Sequence, residues 1–267
     1  MKITSFTNPR ISQVLKLRDG KARRENHLTV VEGAREFERA HMAGVRWSEV
    51  FWCPEFYQKY EEGLPIEVLS KKLSLSKVPV HELSEKVFEK ISFGNRREGI
   101  IGVCEVPKRS LKDVKVASQA SYVVIENVEK PGNLGAILRT ADAAGVAAVL
   151  VADPTTDIYN PQVVRASVGT VFCLPVVQAT AEEIFQFFRK NAVTTVAATP
   201  QGQKLYTQVD LKKSVAFIVG SEDKGLNDFW LKSSDFQVRI PMKGKADSLN
   251  VSNTVAVLVY EALRQRS

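Results

Sequence analysis

Three polar stretches, each following an apolar run, hold the residues best suited to chemistry. The first is Glu126-Asn127-Val128-Glu129-Lys130-Pro131-Gly132-Asn133, which runs into a helical pattern containing Arg139. Pro131-Gly132 suits a type II turn, because proline fixes φ and glycine supplies a positive φ. Asn133 then stands where a helix N-cap belongs. The free N–H groups of a helix N-terminus attract anions, and a nearby arginine can pair with phosphate through two parallel hydrogen bonds. The same residues also suit a plain strand–turn–helix with an asparagine cap and a surface arginine.

The second stretch is Gly220-Ser221-Glu222-Asp223-Lys224-Gly225, directly after the apolar Val215 to Val219. A glycine there lets a ligand approach the backbone closely. An ordinary polar strand-to-helix turn has a similar look. The third runs from Ile240-Pro241-Met242 through a glycine-containing loop to Ser248-Leu249-Asn250-Val251-Ser252. Pro241 stops a strand, and serine or asparagine would cap the helix that follows. Ser248, Asn250 and Ser252 together exceed what one cap requires, which makes a site plausible without naming it.

The elements around these stretches alternate. Apolar runs at Tyr122–Ile125, Ala147–Val151, Val171–Val177, Thr194–Ala198, Val215–Val219 and Phe236–Ile240 read as strands. Helical patterns at Asn133–Ala144, Asn160–Ser167, Glu182–Lys190, from about Asn227, and at Ser252–Arg264 lie between and after them. Such alternation implies a parallel sheet covered on both faces, with ligands beyond the carboxyl ends of its strands. The loops after Ile125, Ala198, Val219 and Ile240 are therefore where a site is expected.

The N-terminal part reads as a smaller α/β unit. Asn8–Arg24 is expected as one basic helix, Leu28–Glu32 as a strand, and Glu32–Ala43 as a helix. Short apolar runs at Glu49–Cys53 and Ile66–Leu69 flank a helical stretch at Glu55–Glu62; a helix at His81–Phe93 and a strand at Gly99–Val106 follow. We expect domains at 1–106 and 121–267, joined by a polar linker at 107–120.

Composition narrows the class. Residues 1–112 carry a net charge of +6 and residues 113–267 a net +1. Arg10, Lys16, Arg18, Lys21, Arg23 and Arg24 crowd the first 24 residues, a pattern that attracts a polyanion such as RNA. A solvated helix face would look the same. The longest apolar stretch, Ala143 to Ala152, is about half of what a membrane span needs. No secretory signal is visible. Three scattered cysteines (Cys53, Cys104, Cys173) argue against a disulfide framework and a zinc site, so a reducing cytoplasm and no metal are expected.

Taken together, the three stretches resemble the sequence motifs of the SpoU (TrmH) family within the SPOUT methyltransferases. The carrying residues are Asn133-Leu134-Gly135-Ala136-Ile137-Leu138-Arg139-Thr140-Ala141, then Phe217-Ile218-Val219-Gly220-Ser221-Glu222 with Gly225-Leu226. Ile240-Pro241-Met242 with Ser248-Leu249-Asn250-Val251-Ser252 completes the set. Val164 to Phe172 looks like a further family segment. Val31-Glu32-Gly33 and Arg97-Glu98-Gly99-Ile100 are similar, less specifically, to a ribosomal-protein-like RNA-binding domain that precedes many members. The resemblance implies an α/β fold whose C-terminal part forms a trefoil knot, against the usual absence of knots. It also implies S-adenosylmethionine as cofactor, held by the backbone of Gly220, Ile240 and Leu249 with Thr199 nearby, and a homodimer. The reaction implied is methylation of a ribose 2'-hydroxyl in RNA. Ribosomal RNA (23S-type guanosine or similar) is favoured over transfer RNA, whose enzymes tend to lack such an N-terminal domain.

The resemblance puts Arg139 nearest the reaction, with Asn133, Glu222, Ser248 and Asn250 ordering site and substrate. A guanidinium keeps its proton and has no acceptor. Pairing with a phosphate and stabilising an incipient alkoxide therefore suit Arg139 better than general-base work. Two other classes compete. A nucleotide-dependent oxidoreductase would need Gly-x-Gly-x-x-Gly after a strand, which is absent. A non-catalytic RNA-binding protein would have no need of that polar set.

Overall fold

The computed structural model describes residues 2–57, 78–93, 97–153, 157–221 and 223–267. These form two compact units. The first comprises residues 1–107 together with 159–173, and the second 108–158 with 174–267.

In the first unit, strands β1 (Lys2–Ile3), β2 (Leu28–Glu32), β3 (Trp47–Trp52), β4 (Val80–Leu83) and β5 (Ile100–Glu105) form one mixed sheet in the order β1-β4-β3-β5-β2. β1, β4 and β3 run parallel, while β5 is antiparallel to β3 and β2. Ile11, Val14 and Leu17 supply a helical stripe that packs with Val30, Phe51, Phe88 and Val103. The basic segment expected as one helix is two, Pro9–Lys16 and Gly20–Asn26, because the Asp19 carboxylate caps Lys21 and Ala22 and starts a new one. The stretch expected as a helix from His81 begins as β4 and turns helical only at Glu85–Ile91. The helix Pro54–Tyr57 opens the stretch expected at Glu55–Glu62. The rest of that stretch, and Ile66–Leu69, lie outside the described residues.

Residues 159–173 are a departure from the expected boundary at 121. Their short helices, Pro161–Ala166 and Thr170–Cys173, bury Val163, Val164, Val171 and Phe172 in the first unit, against β2 and the helix Ala34–Met42. Thr29 Oγ1 donates to the Tyr159 carbonyl, Arg39 to that of Val168, and Arg165 to that of Phe93. Val168 and Gly169 both hold positive φ (53° and 80°), and a Cβ on Gly169 would stand 3.0 Å from Glu36 Cα. This kink ends one helix and starts the next, which is why Val171 to Cys173 are helical and not the expected strand.

The second unit holds a seven-stranded, all-parallel sheet. Its strands are β6 (Ser121–Glu126), β7 (Ala148–Ala152), β8 (Val176–Ala179), β9 (Thr194–Ala198), β10 (Lys204–Leu205), β11 (Val215–Val219) and β12 (Phe236–Arg239), in the order β10-β12-β9-β11-β6-β7-β8. β6, β7 and β11 are buried along their whole length, as expected of strands covered on both faces. Tyr122, Leu150, Phe188, Ile218 and Trp230 belong to the core of the unit. The stretch expected as a linker packs there too. Val114 is buried in that core, after a turn at Leu111–Asp113 whose Ser110 and Asp113 cap each other. The final helix, Val251–Arg266, lies against the helix Pro131–Ala143 and β11.

Candidate functional site

Because the sheet is parallel, the loops leaving β6, β9, β11 and β12 gather at one edge. Three of them enclose a cavity of about 430 Å³. Thr199 and Gln201 come from the loop after β9, and Gly220, Ser221 and Lys224 from the loop after β11. Ile240, Met242, Ser248 and Leu249 come from the loop after β12. Val219, Leu226, Leu231 and Val238 add apolar wall. Small-molecule sites fall in the range of roughly 300–1,000 Å³ and are mostly apolar with a few aimed polar groups. The Thr199 loop is tied down by its N–H to the Val238 carbonyl (2.9 Å), and its hydroxyl donates to Gln201 Oε1 (2.6 Å).

Gly220 owes its identity to a close approach. A Cβ there would lie 2.1 Å from the Gly225 carbonyl oxygen, because the loop turns back with Gly225 N–H donating to the Ser221 carbonyl. Thr199, Gly220, Ile240, Leu249 and Ser248, separated by up to fifty residues in sequence, thus share one cavity.

Beside it, Asn133 and Asn250 meet. Asn250 Nδ2 donates to Asn133 Oδ1 at 3.2 Å. Asn250 caps the last helix through Ser252 N–H (3.0 Å) and also accepts from Ser252 Oγ (2.6 Å). Asn133 is not the cap expected of it. Pro131 is the first residue of its helix and Lys130 the cap, since proline needs no N–H partner there and its φ is already helical. Asn133 and Lys224 also line a smaller hollow that shares Ser221, Asp223 and Val251 with the main cavity.

Arg139 stands apart. It is exposed, six residues and about 9 Å along the helix axis from Asn133. It makes no hydrogen bond or ion pair with any described residue and does not line the cavity. Glu222 lies outside the described residues.

The basic cluster of the first unit divides. Arg23 is buried, and its guanidinium donates to the carbonyls of Leu17 (2.9 Å) and Arg18 (2.8 Å). This corrects its expected RNA-binding role, because a polyanion cannot reach it. Arg10 pairs with Glu49 at 2.9 Å while remaining half exposed. Arg18 donates to the carbonyls of Lys90 and Ser92 and lies over the Phe93 ring. Lys16, Lys21 and Arg24 are exposed.

Gln201 and the apolar wall at Leu231 and Val238 were not anticipated from sequence. Gln201 sits in a loop flagged by its position after a strand, but glutamine carries no motif. Wall residues inside strands and helices read simply as core. Among the described residues, no group of His, Cys, Asp and Glu could hold a metal ion, and no helix is long and apolar enough to cross a membrane.

An all-parallel sheet with a cavity of small-molecule size at its strand ends, next to a polar cluster, is the arrangement of an α/β ligand-binding domain. The SpoU rRNA Methylase family matches residues 120–260, and the MRM3-like substrate binding domain matches residues 8–102. The chain belongs to the SpoU rRNA methylase family. It is 29% identical over 260 residues to the 23S rRNA (guanosine(2553)-2'-O)-methyltransferase RlmP of Bacillus subtilis (strain 168), spanning 97% of this chain and 98% of that one. A solved RNA 2'-O ribose methyltransferase is 41% identical, with a TM-score of 0.83 over 100% of this chain and 99% of that one. An AdoMet-bound rRNA methyltransferase from Sinorhizobium meliloti is 30% identical, with a TM-score of 0.90 over 99% and 97%.

Proposed function

We propose that this chain methylates a ribose 2'-hydroxyl of large-subunit ribosomal RNA, acting in the cytoplasm as a homodimer. The reaction class is that of its family: S-adenosylmethionine is the methyl donor and an RNA ribose oxygen the acceptor. The reading rests on one observation, the gathering of Thr199, Gly220, Ile240, Ser248 and Leu249 around one cavity. The cavity fits the cofactor by its chemistry. Val219, Leu226, Leu231 and Val238 offer apolar wall to a purine ring, and Thr199, Gln201 and Ser248 offer polar atoms. In this reading the chain between Thr199 and Val251 is the trefoil-knot segment and its loops are the cofactor seat.

When bound, the cofactor supplies an electrophilic methyl group on a sulfonium. The protein must aim the 2'-oxygen in line with that carbon and favour the developing oxyanion. Asn133, fixed by Asn250, orients the substrate; Ser248 and Glu222 serve the same site as active-site residues of the family. Arg139 pairs with a substrate phosphate and stabilises the incipient alkoxide. Its exposure and its absence from the cavity lining within one chain support a dimer in which a second copy brings its arginine to the site. The exposed Lys16, Lys21 and Arg24 attract the RNA. Ribosomal RNA is favoured by the relatives' activities and by the substrate-binding domain match at residues 8–102. Three free cysteines suit a reducing compartment. Calorimetric titration with S-adenosylmethionine is expected to saturate at one molecule per chain, and Arg139→Ala to keep that binding while losing turnover. A folded protein that takes up no cofactor would contradict the reading.

A further inference from the structure

We propose that Glu126 is a positioning residue that holds the loop 220–226 in its cofactor-binding shape by anchoring the backbone at Asn227. The inference rests on the cofactor reading of the cavity above.

Glu126 is the last residue of β6 and is 1% exposed. Burying a carboxylate at the end of an apolar strand is costly unless it is used. Burial raises its pKa; the Asn227 N–H opposes that rise and the carboxylate of Asp153 adds to it. The use that ties it to the loop is a backbone bond: Asn227 N–H donates to Glu126 Oε2 at 2.8 Å, across 101 residues of sequence. Asn227 in turn caps the helix Asp228–Ser233 by accepting from the N–H of Trp230 (3.1 Å), and Trp230 is fully buried.

The geometry of the loop explains why that anchor matters. Its neck is closed by the bond from Gly225 N–H to the Ser221 carbonyl and by the close pass of Gly220 under Gly225. Its exit is set by Asn227. The residues between, Ser221, Asp223, Lys224 and Leu226, line the cavity. Without Glu126 the loop keeps its neck but its exit loses the tie to β6.

The test compares full-length wild type, Glu126→Ala and Glu126→Gln. Each is measured for S-adenosylmethionine Kd by calorimetry, RNA Kd, and thermal melting. Losing the acceptor leaves the Asn227 N–H without its partner on β6, which should weaken cofactor binding by about tenfold. RNA Kd should stay unchanged in Glu126→Ala. Glutamine retains an acceptor oxygen, so Glu126→Gln should return cofactor Kd to within about threefold of wild type. A merely structural role would lower the melting temperature without this split and without rescue. If Glu126→Ala does not fold, Asn227→Pro is compared with Asn227→Ala. Both lose the side-chain cap, but only proline removes the N–H, and the φ of −71° at Asn227 already suits it. Weaker cofactor binding in the proline variant than in the alanine variant supports the proposal. Equal cofactor Kd in wild type and Glu126→Ala, or in the two Asn227 variants, overturns it. Wild type that binds no cofactor overturns the reading of the cavity instead.

Discussion

Asn250 donates from Nδ2 to Asn133 Oδ1 at 3.2 Å and so joins two loops that are 117 residues apart in sequence. Its own Oδ1 is taken by Ser252, which fixes which end of the amide faces Asn133. Asn250→Asp keeps the cap and removes the donor. We expect its melting temperature to match wild type while kcat falls by about a hundredfold, the scale of a misplaced reacting group. Asn250→Ala should in addition lose about 1 kcal/mol of stability with its cap. Steady-state kinetics beside thermal melts decide this; wild-type turnover in Asn250→Asp would show that the contact has no part in the reaction.

Gly220→Ala places a Cβ 2.1 Å from the Gly225 oxygen and 2.6 Å from the Leu226 nitrogen, both backbone atoms. Overpacking of this kind costs about 1–3 kcal/mol, and relief must come from opening the loop. Cofactor Kd should rise by roughly ten- to a hundredfold. Isothermal titration reads it directly, and unchanged affinity would mean that the loop does not hold the cofactor.

The basic residues near the N-terminus should separate by assay. Arg23→Ala leaves the carbonyls of Leu17 and Arg18 without their guanidinium partner and should cost about 1–3 kcal/mol in urea denaturation. The triple variant Lys16→Ala, Lys21→Ala, Arg24→Ala should unfold like wild type. Its RNA affinity should fall, and the slope of log K against log salt should flatten by about 0.7–0.9 for each phosphate that is no longer neutralised. An unaltered slope would remove these residues from the RNA surface.

Glu32 predicts a pH dependence of stability. It is 9% exposed, and Phe93 N–H donates to its Oε2 at 2.6 Å. Burial pushes its carboxyl up to about 7; the Phe93 N–H, Arg165 and Arg18 oppose the shift and Glu98 adds to it. The folded state therefore holds a proton that the unfolded chain has released. Stability falls as pH rises through the window from about 4.5 to about 7. Glu32→Gln, which can still accept from Phe93, should remove that fall and gain on the order of 3 kcal/mol over wild type at pH 8, with little difference at pH 4. Denaturation midpoints at both pH values test it, and a variant that tracks wild type at each would refute the assignment.

Strands β9 and β11 were legible to the residue: Val215–Val219 is the continuous apolar run that a strand buried on both faces must be, and Thr194–Ala198 opens on three β-branched residues. Helix caps were less secure. Pro131 opened a helix where a turn was expected, and Asp19 split one helix into two, since these residue types suit both roles. The site loops were legible through their position after parallel strands, whereas their meeting in one cavity depends on a strand order that sequence does not print. Arg23 looked like any other arginine in a basic run until its burial was known. The assignment of residues 159–173 to the first unit was hidden for a related reason. Val163, Val164, Val171 and Phe172 advertise a core, but not which one.

The central claim is methyl transfer to a ribose oxygen. The direct measurement is to incubate the full-length protein with isotopically labelled S-adenosylmethionine and unmodified 23S ribosomal RNA, digest the RNA to nucleosides, and identify the labelled product by mass spectrometry. The account predicts label in one 2'-O-methylated nucleoside, formed by wild type and absent with Arg139→Ala. Label on a base, or cofactor bound without any transfer to that RNA, would contradict it.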